Sequence, residues 1–190
     1  MTQDGGSTPW VANEGAGMGK KRALTPLGAV VGGFLAGTVG TVAMDAYRYL
    51  RYRQGGGTDS LLAWEFPPVP TWEDAPAPGQ VAKRVVEGFT RKPLPDRYAN
   101  LASTIMHWGY GSANGVPYGV VAGSLRRPTP ATGLPFGVAV WLTGYVVLPL
   151  GGLYQPIWKY DVKTLAEDLS GHLVFGAATG TAFWLYTKLT

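Results

Sequence analysis

The chain has 190 residues, 16 lysines and arginines against 12 acids for a formal net charge of +4, 46% apolar side chains and no cysteine. The missing cysteine excludes a disulfide framework, a c-type haem attachment and any thiolate-ligated metal, and so small a positive excess gives no footing for nucleic-acid binding. Mean hydropathy is only +0.04, but the charges are segregated, leaving long uncharged runs at 23–44, 98–125, 128–158 and 169–187. About 20 consecutive apolar residues span a bilayer core as a helix. The pattern therefore predicts an all-α integral membrane protein with four transmembrane helices, near 27–49, 99–123, 134–153 and 170–188.

In chain order, residues 1–22 are polar and glycine-rich with no apolar period, and are read as a disordered segment ahead of a membrane domain over 23–190. No small-residue cleavage pattern follows the first apolar run, so the first span is expected to be retained. After it come a basic exit, "RYLRYRQGGGTDS", and a proline-rich stretch, "LLAWEFPPVPTWEDAPAPGQ", whose Trp64, Phe66 and Trp72 suit headgroup level. The loop 51–97 is thus expected at the membrane surface. Within it, "QVAKRVVEGFTR" (80–91) places Val81, Val85 and Phe89 at i, i+4 and i+8, a short amphipathic interfacial helix.

The link "RRPTPATG" between spans two and three is short and turn-forming, as between antiparallel neighbours. Trp158 and Tyr160 are read as interfacial, and "DVKTLAEDLSGH" as a helix start capped by Asp161 that runs into span four. Basic residues favour a cytoplasmic long loop.

Glycines recur every fourth residue inside the spans: Gly33 and Gly37 in the first, Gly111, Gly115, Gly119 and Gly123 in the second, Gly176 and Gly180 in the fourth. In lipid no hydrophobic force draws helices together, so close backbone approach over small residues must do it. Each row, extended by one turn or two, reaches a polar group. Gly33 and Gly37 lead to Thr41 and Asp45, Gly111 leads back to His107, and Gly176 leads back to His172.

Alternating span directions put Asp45, His107 and His172 in one leaflet, which predicts a buried polar cluster. Such a cluster is able to hold a proton whose position responds to pH. The bland reading pairs Asp45 with Arg48 and each histidine with neighbouring backbone. No HxxxH or ExxH spacing supports a metal, no cofactor is expected, and no GxSxG elbow or phosphate loop is present.

The stretches "MHWGYGSANGVPYGV", "LPLGGLYQPIWKY" and "EDLSGHLVFG" resemble the YagU-like family of small four-helix bacterial inner-membrane proteins, over about residues 98–188. The resemblance implies a multi-pass inner-membrane bundle with His107, Glu167 and His172 on motif positions, and it brings no catalytic mechanism. The function expected is a non-enzymatic accessory or structural subunit, in contact with the lipid bilayer and packing with itself or with other membrane subunits. The alternative is a proton- or ion-linked channel or transporter centred on Asp45, His107 and His172.

Overall fold

The computed structural model describes residues 24–125 and 128–190, so the segment 1–22 lies outside the described residues. Among the described residues the chain is all-helical: α1 (Pro26–Gln54), α2 (Leu61–Glu65), α3 (Ala77–Thr90), α4 (Ala99–Gly123), α5 (Gly133–Leu150) and α6 (Val162–Leu189), with three short 3-10 turns between them. Local chemistry sets the starts. Thr25 caps α1 by accepting from the Gly28 amide at 3.0 Å, ahead of Pro26 at the first helical position. Asp161 caps α6 from the Thr164 amide at 2.9 Å, as its sequence predicts.

Two helical stretches, Pro26–Gln54 and Pro130–Leu150, are long and apolar enough to cross a membrane. Helices α4 and α6 match them in length at 25 and 28 residues. Helix α4 carries Asn100, Ser103, Thr104, His107, Ser112 and Asn114, and α6 opens with Lys163, Glu167 and Asp168, so their hydropathy is lower. Both α1 and α6 also overrun the expected spans, α1 reaching Gln54 and α6 starting at Val162.

The long helices pack in the order α4, α1, α6, α5, with α3 laid against α4. Glycine makes two of these seams. A methyl group on Gly37 would stand 2.7 Å from the Ser112 carbonyl oxygen and 2.9 Å from Gly115 Cα, and one on Gly33 or Gly119 would overlap backbone of the facing helix. Only glycine permits that approach. Gly111 instead faces the Thr41 side chain, and a methyl on Gly123 would meet only side chains, tightly at Ala29 Cβ (3.3 Å) and in ordinary contact with Phe183 (3.5 Å).

The α5–α6 seam uses Gly176 and Gly180 against Gly133 and Gly137: a methyl on Gly176 would sit 2.8 Å from Gly137 Cα, and one on Gly180 2.9 Å from Gly133 Cα. Between α1 and α6, Gly40 meets Phe175 and Thr179. Phe183, fully buried, closes the centre with Ala36, Tyr118 and Ala122. Hydroxyls along the helices bond their own backbone one turn back, including Thr41 to Gly37, Thr143 to Ala139 and Thr179 to Phe175, which satisfies them without water.

One expectation for the long loop is corrected. Trp72 does not sit at headgroup level: it is buried with Ala75 and Ala99, and its indole N–H donates to the Leu94 carbonyl at 2.7 Å. The expected short helix forms as α3 and packs through Gly79 and Ala82. Small residues allow α3 to approach α4 closely, and the face of Val85 and Phe89 is left outward, with Phe89 88% exposed.

Candidate functional site

The α1–α4 seam delivers a polar pair at its end. Successive steps of about one turn match Gly33 with Gly115, Gly37 with Gly111 and Ser112, and Thr41 with Gly111. Asp45 then meets His107, with Oδ2 2.8 Å from Nε2. Asp45 is 6% exposed, and its imidazole partner is held edge-on to Trp108 at 5.9 Å.

A third group arrives that sequence reading passed over. Glu65, the last residue of α2, stands with Oε1 3.9 Å from His107 Nε2 and its side chain nine-tenths buried. The donor atoms of Asp45, Glu65 and His107 all lie within 4.8 Å of one another. What brings Glu65 there is a turn after α1. Gly56 takes a φ of 92°, a left-handed conformation that glycine adopts without strain, and the chain doubles back so that the Tyr52 hydroxyl donates to Asp59 Oδ2 at 2.6 Å. Trp64 then packs on the Tyr49 and Tyr52 rings, at 5.5 and 6.2 Å, which aligns α2 along the last turns of α1. Ser60 caps the short helix.

Electrostatically the corner is strained toward neutrality. Burial, and next the neighbouring Asp45 carboxylate, push the Glu65 carboxyl above its ordinary range, while the His107 imidazole and a hydrogen bond from Trp108 oppose the shift. At the far end of the chain, by contrast, the Thr164 side chain and backbone hold the exposed Asp161 carboxyl below its ordinary range.

The expected three-residue cluster of Asp45, His107 and His172 is not what forms. The Gly176–Gly180 row faces α5, and His172, one turn earlier, follows it. His172 Nδ1 donates to the Asp168 carbonyl at 2.9 Å on its own helix and lies 3.6 Å from Asp168 Oδ1. Asp168 in turn binds Arg48 at 3.0 Å, so Arg48 pairs across to α6 and not with Asp45. Glu167 stays out of the polar core and pairs with Arg51 at 2.9 Å on a half-exposed face, and Tyr47 donates to Ser170 at 2.9 Å beside it. The Arg48–Asp168, Arg51–Glu167 and Tyr47–Ser170 pairings span the α1–α6 contact and had no local signal in the sequence, whereas the bond from His172 to the Asp168 carbonyl is the local backbone pairing that the bland reading expected.

Both histidines nevertheless line one cavity of about 380 Å³, bounded by α1, α4, α5 and α6 with Pro78 and Val81 of α3 at its rim. Arg48, Asp168, Tyr110, Asn114 and Tyr145 add polar atoms to walls that are otherwise apolar. Trp141, whose buried indole nitrogen has no hydrogen-bond partner, lines it too. The arrangement is able to bind a cation or shuttle a proton at one wall and to receive an apolar body along the rest.

No protein-family model matches the chain, and no curated protein and no solved structure is similar enough to count as a match. What stands is the class: an all-helical protein with two helices long and apolar enough to cross a membrane, carrying an acid–histidine corner and a polar-walled cavity.

Proposed function

We propose that the chain is a non-enzymatic, four-span integral membrane protein that serves as an accessory or structural subunit, packing within a homo-oligomer or a larger membrane complex. One observation carries this reading. The long helices touch through glycine backbone and turn aliphatic side chains outward, among them Leu35 and Val42 of α1, Ile105 and Val121 of α4, Val146 of α5 and Leu185 of α6, all exposed. Inside-out patterning of this kind suits lipid or a neighbouring helix and not water. The Thr104 hydroxyl, bonded to the Asn100 carbonyl one turn back, and the absence of lysine, arginine, aspartate and glutamate over 98–125 support counting α4 as a span. The resemblance of residues 98–188 to the YagU-like family is the basis for assigning the bacterial inner membrane.

A second reading is favoured by the shared cavity of His107 and His172: a proton- or ion-linked path that would need an oligomer, since four helices are few for a transporter. One set of variants addresses the spans directly, because the chain has no native cysteine. Ile105→Cys and Val121→Cys should resist a membrane-impermeant maleimide in intact vesicles and react after detergent. Labelling in intact vesicles from either side would remove α4 from the membrane and sink the four-span reading. Mass-resolved purification in mild detergent then separates the two functions. A stoichiometric partner supports the subunit reading, and a homo-oligomer that passes current, lost in His107→Ala, supports the path.

A further inference from the structure

We propose that Asp45, Glu65 and His107 form a binding site for one divalent transition-metal ion of the manganese-to-zinc series. The site goes beyond membrane assembly and does not depend on it. Three donors come from three elements, α1, α2 and α4, and converge on one point. Their known separations, 2.8 Å from His107 Nε2 to Asp45 Oδ2 and 3.9 Å to Glu65 Oε1, bracket the roughly 3–3.5 Å expected between ligands that share an ion at about 2.0–2.2 Å. The third separation, Asp45 to Glu65, lies within 4.8 Å, so side-chain movement on the order of 1 Å brings all three into one coordination shell.

Charge points the same way. Two buried carboxylates face a single imidazole, and the Arg48 guanidinium, three residues beyond Asp45 on α1, is engaged by Asp168. Glu65 adds an independent indication of a ligand. Its side chain is 10% exposed, its oxygen is beyond hydrogen-bond range of the imidazole, and the Trp108 indole N–H serves one oxygen at most. A carboxylate in that position is a group waiting for a cation. A divalent ion would neutralise both acids with the imidazole neutral and Nε2 as ligand.

The donor set narrows the ion. One imidazole nitrogen and two carboxylate oxygens, with no thiolate available in the chain, suit zinc, cobalt, iron or manganese over copper(I) or calcium. Three protein ligands leave at least one position for water or a small anion. His107, whose side chain is about one-third exposed and which lines the cavity, provides the way in.

The test uses the full chain in detergent, stripped with chelator and titrated with Co²⁺, followed by visible absorption and by competition with Zn²⁺. The expected result is one Co²⁺ per chain with ligand-field bands that Zn²⁺ displaces. Glu65→Gln and His107→Gln should weaken binding by more than the roughly 10–100-fold typical of a lost outer-shell partner, while His172→Gln leaves it unchanged. Circular dichroism and monodispersity show which variants are folded, and Glu65→Gln, an isosteric change on a two-turn-or-shorter helix, tests the site without breaking the α1–α4 seam. No stoichiometric binding by the folded wild-type chain overturns the proposal. So does Glu65→Gln binding like wild type, or His172→Gln weakening it as much as His107→Gln. Neither result bears on the number of spans, which the cysteine labelling reads separately.

Discussion

Gly115→Ala should open the α1–α4 seam, and the cost can be worked from the geometry. A methyl on Gly115 would lie 2.7 Å from both Gly37 Cα and Gly37 N and closer still to the Gly33 carbonyl oxygen. These are rigid backbone atoms, so the helices must part by roughly 0.7 Å or more to restore ordinary van der Waals distance, and a gap of 0.5–1 Å forfeits about a quarter to a half of each contact's attraction. At about 0.1–0.2 kcal/mol per atom pair over some tens of pairs, the loss is about 2–3 kcal/mol, within the usual range for overpacking. Alanine's helix propensity returns up to about 1 kcal/mol. Net destabilisation is therefore about 1–2 kcal/mol. Gly109→Ala is the matched control, since it lies in the same helix with nothing within 4 Å of the added methyl; it should be neutral or stabilising by up to about 1 kcal/mol. Reversible unfolding in mixed micelles, followed by far-ultraviolet circular dichroism, measures both. Equal effects of the two substitutions would refute the claim that the seam depends on backbone contact.

The separation of the two polar groups is testable by double-mutant cycles in the same assay: Asp45→Asn with His107→Gln should couple by about 1–2 kcal/mol, whereas Asp45→Asn with His172→Gln should be additive. Glu65 sets a pH dependence in the metal-stripped chain. Its folded-state pKa is raised, so the folded state holds the proton more tightly, and stability is greatest below the unfolded carboxylate value and falls as pH rises from there through the raised one. Wild type should accordingly be less stable than Glu65→Gln at neutral pH, and the two melting curves should converge on acidification. Phe89, outward on α3, should tolerate serine within about 0.5 kcal/mol. An environment-sensitive dye on Phe89→Cys should shift to the blue in liposomes if α3 lies on the bilayer, and an unshifted spectrum would remove α3 from the interface.

The Asp45–His107 pair was legible because one helical repeat governs the whole α1–α4 seam. Glycines four residues apart fix which faces meet, and the next step along each row is dictated by the same period. Reading failed where a row had two possible partners. Gly176 and Gly180 announce a contact but not with whom, and their choice of α5 carried His172 away from Asp45. The complementary row was in view, since Gly133 and Gly137 share the same spacing, but Gly133 closes "PTPATG" and so reads as a turn residue. In α3 the period of Val85 and Phe89 marked an exposed apolar face, and the contact with α4 falls to the small residues Gly79 and Ala82, which carried no such signal.

Glu65 was hidden more deeply. Its approach depends on the Gly56 turn and on Trp64 finding Tyr49 and Tyr52, none of which follows a helical period. The signal that the sequence does carry is the aromatic spacing in "YRYLRY" and the glycine run after it, which form the hinge, with Trp64 as the piece that docks. The consequence is physical. The glycine seam supplies two ligands at a depth and spacing that the fold fixes, and the short α2 adds the third from a segment held by one aromatic cluster and a capped turn. Loss of the Trp64 contact should therefore release Glu65 while leaving Asp45 and His107 paired. Trp64→Ala is expected to weaken Co²⁺ binding much as Glu65→Gln does, without the helix separation that Gly115→Ala brings.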